Sequence, residues 1–447
     1  MDKRKIANLL GLLPNWININ LLKINRYPGL LFGERYREVY KSFFSQRTDS
    51  EFLGFFRSTV DNIPFYKNYI VDYGVHSFKE FRKVVPTIDK DTVMKFPDAF
   101  ISRCAELDNV DAVTTGGTSG KPLKILLPKS RFAYEFGALH ALWGRVGYRF
   151  DIRAVVRNEV LPKGKDFTIN PVTKEVVFDG FRNDAEYFDF IFETMRRFNI
   201  KFFHGYTSKA ENFARHILNK GYDYGFIEAI ITSSENFYDH QRSLFNQLEG
   251  VKHLNFYGHT EKLLLGGWCE DGGLYHFYNS YGFSELLDDK GDCVDSVGAI
   301  GELVGSTNYN SVMPLFRYRT GDYAVKGPEK CQACGFEGLS VSEILGRWNG
   351  ERVFNSDGSF VTTTSLNLHG DLYAFIDGLQ YFQESSGNLE IRVVPGVGYN
   401  DSIESRILED IARKLSPDSK IVVRRVSDVE RLQNGKFLLL ISHVDES

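Results

Sequence analysis

A glycine-rich run, Thr114-Thr-Gly-Gly-Thr-Ser-Gly-Lys-Pro122, is the part of this 447-residue sequence best suited to chemistry. Glycines let backbone N–H groups approach a ligand, hydroxyl groups donate hydrogen bonds, and Lys121 supplies a positive charge. Such a loop can wrap phosphate oxygens, although an ordinary flexible turn would use the same residue types. It departs from the P-loop pattern, because Thr115 stands where that pattern needs its first glycine and Pro122 follows the lysine.

Further polar runs follow the loop in a definite order. They are Phe256-Tyr-Gly-His-Thr-Glu261, Gly298-Ala-Ile-Gly-Glu-Leu303, Pro314-Leu-Phe-Arg-Tyr-Arg-Thr-Gly-Asp322, and Gly346-Arg347 with the distant Gly435-Lys436. Together with the glycine loop, these runs resemble the signatures of the adenylate-forming superfamily. Within that superfamily the chain is most similar to the phenylacetate–CoA ligase family. The order of several motifs is far more specific than one loop.

The resemblance implies a nucleotide site for ATP and Mg²⁺. The residues that would bind the ATP phosphates are Thr115, Gly116, Gly117, Thr118, Ser119 and Gly120. Tyr257, followed by Gly258, would lie along the adenine, Thr260 would contact the α-phosphate, and Glu261 would hold Mg²⁺. These residue types suit those roles, since a ring can stack on a purine and a carboxylate binds a hard cation. A buried strand end would explain Tyr257 but not the whole run.

The later motifs would complete the adenylate site. Asp322 would accept hydrogen bonds from both ribose hydroxyls, and Arg347 would bind the adenylate. Arg317 and Arg319 could instead form structural ion pairs, which we expect for at least one of them. The hinge position, commonly Asp in the family, is Asn349 here.

The implied reaction is attack of a carboxylate on the α-phosphate, which gives an acyl-AMP and pyrophosphate. Lys121 and Mg²⁺ would steady the pyrophosphate, while Lys436 and Thr260 would stabilise the transferring centre. A thiol, as in coenzyme A, or an amine would then accept the acyl group. Two other classes stay open: a sugar-phosphate nucleotidyltransferase, and a non-catalytic relative that binds nucleotide without turnover.

The acid pocket is less well defined by the sequence. Trp143-Gly-Arg-Val-Gly147 and Phe202-Phe-His-Gly-Tyr-Thr-Ser208 look like a subgroup associated with surface-polysaccharide synthesis, in which the acid or acceptor can be sugar-linked. The candidate pocket residues are His204, Tyr206, Ser233, Ser234, Glu235 and His259. Apart from His259, which holds the variable position of its motif, each could equally be a turn, strand-end or core polar residue.

A second cluster has the residue types of a metal site. Cys331-Gln-Ala-Cys334 has the spacing of half a zinc knuckle, although such a pair could also be redox-active. The family resemblance implies the other half, Cys269 and His276, and hence a closed structural zinc site. Cys293 is a competing ligand, and Cys104 is expected to be a small core residue.

Alternating short apolar runs and amphipathic segments predict an α/β fold. Leu123–Leu127, Ala229–Ile231 and Gly301–Val304 are strand-like, and Tyr187–Phe198 and Ser208–Asn219 are helix-like. The segment 151–183 is predicted to form a hairpin that joins Val155-Val156 to Val176-Val-Phe178.

The last hundred residues read as a unit of their own. Leu389–Val394 and Lys420–Val426 alternate like strands, and Ser402–Leu415 has helical spacing. The resemblance implies a large, multi-subdomain N-terminal adenylation domain over 1–346 and a small, mobile α+β lid over 347–447.

Composition limits the other possibilities. A net charge of -4 and a pI near 6.2 argue against a nucleic-acid partner. No apolar run reaches the length of a membrane span, and the short N-terminal run Ile6–Leu13 is stopped by Pro14 before any signal-peptide cleavage site. Five cysteines in a large chain do not indicate a disulfide framework. We expect a cytoplasmic monomer or homodimer.

Overall fold

The chain divides into two compact units in the computed structural model. One unit comprises Met1–Ala112 and Leu126–Trp348, and the other comprises Val113–Ile125 and Asn349–Ser447. The structure describes residues 19, 22, 28–45, 47–70, 75–114, 123–157, 159, 161–162, 164–182, 184–235, 237–346, 352–363, 366, 368, 372–430 and 439–444.

The first unit begins with short helices, two of which start at capping boxes. The helices are α1 (Pro28–Phe32), α2 (Glu34–Ser42), α3 (Asp49–Val60), α4 (Pro64–Ile70), α5 (Phe78–Val84) and α6 (Lys90–Lys95). Thr48 and Glu51 cap α3 reciprocally, and Ser77 with Glu80 does the same for α5. A two-stranded sheet of β1 (Val110–Thr114) and β2 (Lys124–Pro128) comes next in the chain, and its residues 113–114 and 124–125 are counted with the second unit. Helix α7 (Arg131–Trp143) then follows in the first unit.

A large mixed sheet organises the first unit. Among the described residues it has twelve strands, in the order β11-β12-β13-β14-β10-β9-β8-β7-β6-β3-β5-β4. The strands are β3 (Arg153–Arg157), β4 (Thr168–Asn170), β5 (Glu175–Asp179), β6 (Phe202–Tyr206), β7 (Ala229–Ser233), β8 (Lys252–Gly258), β9 (Leu265–Cys269), β10 (Leu274–Phe277), β11 (Gly282–Leu287), β12 (Ile300–Thr307), β13 (Tyr318–Lys326) and β14 (Ser340–Gly346).

Strands β5, β3, β6, β7 and β8 run parallel, so their carboxyl ends share one edge of the sheet. Three helices connect them: α8 (Ala185–Phe198), α9 (Thr207–Lys220) and α10 (Asp239–Phe245). The first of these begins where Asp184 accepts from the Tyr187 N–H and ends at Asn199 in the left-handed conformation. Helices α7 and α9 cover opposite faces of β6, as the contacts of Trp143 with His204 and of Phe213 with Phe203 show.

The predicted hairpin over 151–183 is wrong in its pairing. β3 and β5 are parallel neighbours, and the antiparallel partner of β5 is the three-residue β4. The tight turn therefore lies between β4 and β5, where Lys174 has a positive φ of 54°. A hydrophobic run cannot show whether its neighbour is parallel, because that depends on the path of the intervening chain. The other strands and helices predicted above are present.

The second unit has a mixed α+β core. Its four-stranded sheet has the order β19-β18-β17-β20, with a central antiparallel pair and parallel edges. The elements are β15 (Arg352–Phe354), β16 (Phe360–Thr362), β17 (Ile376–Ser385), β18 (Asn388–Pro395), α11 (Asp401–Ala412), β19 (Lys420–Arg425) and β20 (Leu440–Ser442). Ile403, Ile407 and Ile411, spaced by one helical turn, bury one face of α11 in this core. No helix in the described part of the chain is long and apolar enough to span a membrane.

Candidate functional site

Two motifs that are 65 residues apart meet at the carboxyl edge of the sheet. The hydroxyl of Tyr257, at the end of β8, donates a hydrogen bond of 2.6 Å to Oδ2 of Asp322 on β13. Both side chains are partly exposed, so a ring and a carboxylate stand together at a surface that a ligand can reach. The structure thus brings together the two residues for which the sequence resemblance implied adenine and ribose contacts, and those roles stay predictions.

Glu261 is held just beyond the end of β8 by two donors. Its Oε1 accepts from the Tyr318 hydroxyl at 3.0 Å, and its Oε2 lies 2.9 Å from His259 Nδ1. The Leu264 N–H donates to His259 Nε2 at 3.1 Å, so Nε2 is an acceptor and the neutral ring carries its proton on Nδ1. His259 is therefore turned towards Glu261, and the carboxylate has a fixed orientation. Thr260 lies between these two residues and is partly exposed.

The two arginines of the third motif both form ion pairs. Arg317 is buried, with Nε 3.2 Å from Glu285 Oε2 and with Nη1 donating to the Arg82 and Val85 carbonyls. Arg319 pairs with Glu302 at 2.6 Å. The structural interpretation thus holds for both arginines.

Glu302 also fixes the turn that carries Asp322. Its Oε1 accepts from the Gly321 N–H at 2.8 Å, and Gly321 has a φ of 79° that favours glycine. Glu302 and Tyr318 have roles here that the motifs did not predict. Strand alternation could have indicated Tyr318, because it lies between Arg317 and Arg319 and must face the other side of β13.

The candidate pocket residues lie at or near the same edge. His204 and Tyr206 are on β6, and Ser233 ends β7. Ser234 follows with a φ of 71°, and Glu235 accepts from the Ser208 N–H at 2.7 Å, at the start of α9. These contacts show that Glu235 has a structural role at the N-terminus of that helix.

Burial shifts several pKa values beside these strands. Burial, and next the charge of Glu235, raises the pKa of Tyr206 to about 12. Burial lowers the pKa of Lys209 to about 8, although Glu235 and Asp179 oppose that shift. Burial and the Arg153 charge hold the pKa of His204 well below 6.5. His204 and Tyr206 are therefore neutral near pH 7.

The four predicted metal ligands converge. The ligand atoms of Cys269, His276, Cys331 and Cys334 all lie within 4.8 Å of one another. His276 Nδ1 is 3.8 Å from Cys334 Sγ, and its ring stacks on Phe336 with centroids 4.3 Å apart. A Cβ on Gly272 would come within 2.5 Å of Cys331 Sγ, so this turn needs glycine.

The remaining cysteines lie elsewhere. Cys293 is outside this cluster and lines a cavity with Arg82 and Glu285. The expectation that Cys104 is a core residue is wrong, because its side chain is exposed and donates to Asn62 Oδ1 at 3.4 Å. The pattern of apolar residues around 100–105 could not predict the exposure of Cys104, because the chain there forms turns rather than a helix or a strand.

Several predicted site residues lie outside the described part of the chain. They are Thr115, Gly116, Gly117, Thr118, Ser119, Gly120, Lys121, Arg347 and Lys436, together with the hinge residue Asn349.

Comparison with known proteins adds two similarities. Protein CapK from Staphylococcus aureus is 21% identical over 344 residues, which cover 74% of this chain and 72% of that protein. The crystal structure of 2-hydroxyisobutyryl-CoA ligase, in complex with 2-HIB-AMP and CoA in the thioesterification state, superposes with a TM-score of 0.52. The match covers 97% of this chain and 94% of that one, at 14% sequence identity. No protein-family model matches. The chain has the fold of the adenylate-forming acyl-CoA ligases.

Proposed function

We propose that this protein is an ATP-dependent ligase that activates a carboxylic acid as its acyl-AMP. The observation that carries the proposal is the meeting of Tyr257, Glu261 and Asp322 at one edge of the sheet, in a fold of this class. Tyr257 and Glu261 lie at the carboxyl end of the parallel strand β8, and Asp322 on β13 is hydrogen-bonded to Tyr257. The carboxyl ends of parallel strands are where α/β proteins bind nucleotides. ATP as the co-substrate is consistent with a cytoplasmic enzyme.

The nucleotide would be bound by groups of matching chemistry. The ring of Tyr257 lies along the adenine, while the Asp322 carboxylate accepts hydrogen bonds from the ribose hydroxyls. Glu261 presents its carboxylate to Mg²⁺, which neutralises phosphate charge when it is bound. Hydrogen bonds from Tyr318 and His259 reach different Glu261 oxygens and fix the orientation of the carboxylate.

The first step is in-line displacement at the α-phosphorus. A carboxylate oxygen of the acid forms the new bond to phosphorus as the bond to the bridging oxygen breaks, and pyrophosphate leaves with the electron pair. The Thr260 hydroxyl donates to a non-bridging oxygen of that phosphate, and Lys436 neutralises the charge between the carboxylate and the phosphate. Lys121 binds the departing pyrophosphate.

The acyl group then passes to a thiol or an amine. The 2-hydroxyisobutyryl-CoA ligase structure contains both 2-HIB-AMP and CoA, and this similarity favours a thiol as the acceptor here. The similarity of 143–147 and 202–208 to proteins of surface-polysaccharide synthesis keeps a sugar-linked acid or amine as the second choice. In either case the lid over 347–447 would turn to admit the acceptor.

We also infer that Cys269, His276, Cys331 and Cys334 hold a structural zinc ion. Three thiolates and one imidazole are a standard zinc set, and the separations within 4.8 Å match ligand atoms about 2.0–2.3 Å from a shared centre. Four protein ligands close the tetrahedron, so zinc would supply stability to β10 and the 331–336 turn and no chemistry to the substrate.

The experiment that tests the ligase proposal is acid-dependent ATP–pyrophosphate exchange on the purified full chain. The panel contains aryl, fatty, amino and uronic acids, with Lys436→Ala as the catalytic control. Exchange with one class of acid that is lost in Lys436→Ala would support adenylation. ATP binding without exchange on any acid would reject it in favour of a non-catalytic relative. Acid-independent exchange with a sugar phosphate would indicate a nucleotidyltransferase.

A further inference from the structure

We propose that His204 binds the far end of the acid, and that the substrate is an extended carboxylic acid with a hydrogen-bond-accepting oxygen at that end. Hydroxyl, keto and carboxamide oxygens belong to this class. The inference rests on the proposed ligase activity and deepens it by naming the kind of acid. Three observations support it: His204 is partly exposed, Arg153 fixes the orientation of its ring, and its Nε2 donor has no acceptor among the described residues.

His204 faces open space on one side of a central strand. Along β6, Phe203 and Gly205 are buried under α9, whereas His204 and Tyr206 on the opposite face are partly exposed. Phe202, which shares their face but lies nearer the start of the strand, is fully buried. The α7 face of β6 therefore becomes accessible at His204 and Tyr206, towards the end of the strand.

Arg153 fixes the orientation and tautomer of the His204 ring. Its Nη1 contacts His204 Nδ1, and a guanidinium group can only donate. The neutral imidazole therefore accepts at Nδ1 and carries its hydrogen on Nε2. Arg153 is itself fully buried and is held by Glu175 Oε1 at 2.7 Å and by the ring of Trp143 at 4.3 Å. It is a positioning residue that turns His204 into a fixed donor.

The Nε2 hydrogen of His204 is a donor on the partly exposed face of β6. No described residue accepts a hydrogen bond from His204 Nε2. The Trp143 ring lies 5.1 Å from the His204 ring, but its Nε1 is buried, as is Arg153 Nε, so neither of them is a donor that a ligand can reach. His204 Nε2 is thus the donor that remains for an uncharged ligand oxygen.

The charges near His204 and its distance from the reacting centre restrict the class of acid further. The Arg153 and Arg157 charges help to keep His204 neutral, and they disfavour a cationic group beside it. Two strand spacings, or roughly 10 Å, separate β6 from β8. The register also places His204 level with Leu254, and Thr260 lies beyond the end of β8 at Gly258, so the reacting carboxylate and His204 are further apart than that spacing. Acetate and other short acids cannot span that gap. A long-chain acid can.

Pyrophosphate exchange with matched pairs of acids tests the inference on the full chain. Suitable pairs are ω-hydroxydodecanoate with dodecanoate, and ω-hydroxyhexadecanoate with hexadecanoate. The wild type should prefer the oxygen-bearing acid by about tenfold or more in kcat/KM. His204→Phe should bring that ratio close to one, mainly through KM, and His204→Gln should restore part of it because an amide can accept from Arg153 and still donate.

The control is His216→Phe, the same substitution on α9, where His216 bonds Asp189 on the other side of the sheet. It should leave the acid preference unchanged. A wild-type preference for the plain acids, or a His204→Phe ratio equal to that of the wild type, would overturn the inference and leave the ligase activity intact. No exchange with any acid would instead reject the ligase proposal, and the inference with it.

Discussion

Glu261 shows how the site prepares one carboxylate for a cation. Tyr318 and His259 donate to different oxygens of the group, and the Leu264 N–H sets the His259 tautomer that makes this possible. The side chain is thus fixed before any ligand binds, which reduces the entropy lost on binding. Neither donor is charged in this arrangement, so the carboxylate keeps its negative charge for Mg²⁺.

Glu261→Gln should weaken the binding of Mg²⁺ while preserving the fold. The amide has nearly the same shape and its oxygen still accepts from Tyr318, whereas its NH2 group cannot accept from His259 Nδ1. The negative charge that attracts the cation is lost. We expect the Mg²⁺ concentration for half-maximal pyrophosphate exchange to rise about tenfold or more. A magnesium titration at saturating ATP measures it, with the exposed Glu193→Gln on α8 as the control. An unchanged titration would remove Glu261 from the metal site.

Single residues also show which features of the site could not be predicted from the sequence. The motifs named Tyr257 and Asp322 separately, and only the fold shows that one donates to the other. Glu302 and Arg153 were missed because their roles depend on partners in other strands, at separations that no local pattern encodes. Cys104 was misplaced because a small apolar residue in a turn can face either way.

At the scale of elements, Arg317 links the start of β13 to the helical N-terminal region. Its backbone has a φ of 52°, which is unfavourable for a side chain of this size. Its guanidinium group donates to two carbonyls at the end of α5 and also contacts Glu285. Arg82, on α5, binds the other oxygen of Glu285 at 3.1 Å. One buried carboxylate thus joins two arginines from elements far apart in sequence.

Arg317→Met should destabilise the first unit by about 3–5 kcal/mol, because Glu285 stays buried with only the half-exposed Arg82 as a partner. Urea unfolding followed by circular dichroism measures the change. Arg196→Met, at an exposed pair on α8, is the matched control and should change the free energy of unfolding by less than about 1 kcal/mol. A loss in Arg317→Met no larger than in this control would show that the Glu285 cluster does not hold the two elements together.

The metal cluster is a second connection between elements, because its ligands come from β9, β10 and the turn at 331–334. Cys334→Ser should lower the zinc content from about one ion per chain to a small fraction and reduce the melting temperature. Elemental analysis and calorimetry after dialysis measure both quantities. Cys293→Ser, outside the cluster, should retain zinc. Equal zinc content in the two variants would exclude the cluster as the site.

For the whole molecule, apolar periodicity predicted most elements but not their arrangement. Runs such as Ala229–Ile231 and Tyr187–Phe198 are found as a strand and a helix because their side chains pack on faces that the period itself defines. The parallel pairing of β3 with β5 could not be predicted, since residues 158–167 could lead either to a hairpin or to a crossover. The glycine loop, Arg347 and Lys436 stay predictions from sequence alone.

The stability of the fold at low pH depends on groups that are spread over the molecule. Buried histidines are neutral in separate parts of the first unit. Burial, and next the charge of Arg153, holds the pKa of His140 well below 6.5, and burial lowers the pKa of His253 to about 3. His140 has Tyr36 on one ring nitrogen and aromatic rings around it, and His253 lies between Phe237 and Phe245. Among the described residues, no carboxylate lies beside either ring to stabilise its protonated form.

The sign of the pH effect follows from these lowered pKa values. Below about pH 6.5 the unfolded chain binds a proton at each histidine and the folded chain does not, so the free energy of unfolding falls as the pH falls. Each group contributes up to about 1.4 kcal/mol per pH unit, down to its folded pKa, which for His253 is about 3. Removing one such histidine should therefore make the pH dependence shallower without changing its direction.

His140→Gln tests this between pH 6 and 5, where most carboxylates are still ionised in both states. An amide can still hydrogen-bond the Tyr36 hydroxyl, and it cannot titrate. Urea unfolding followed by tryptophan fluorescence is suitable, since Trp143 lies 5.4 Å from the His140 ring. We expect the variant to lose about 1 kcal/mol less than the wild type over that pH interval. His240→Gln, at an exposed position on α10, should follow the wild type. If His140→Gln also followed it, His140 would have to be protonated in the folded protein, and its burial among Phe32, Trp143 and Tyr148 could no longer be the dominant effect on its charge.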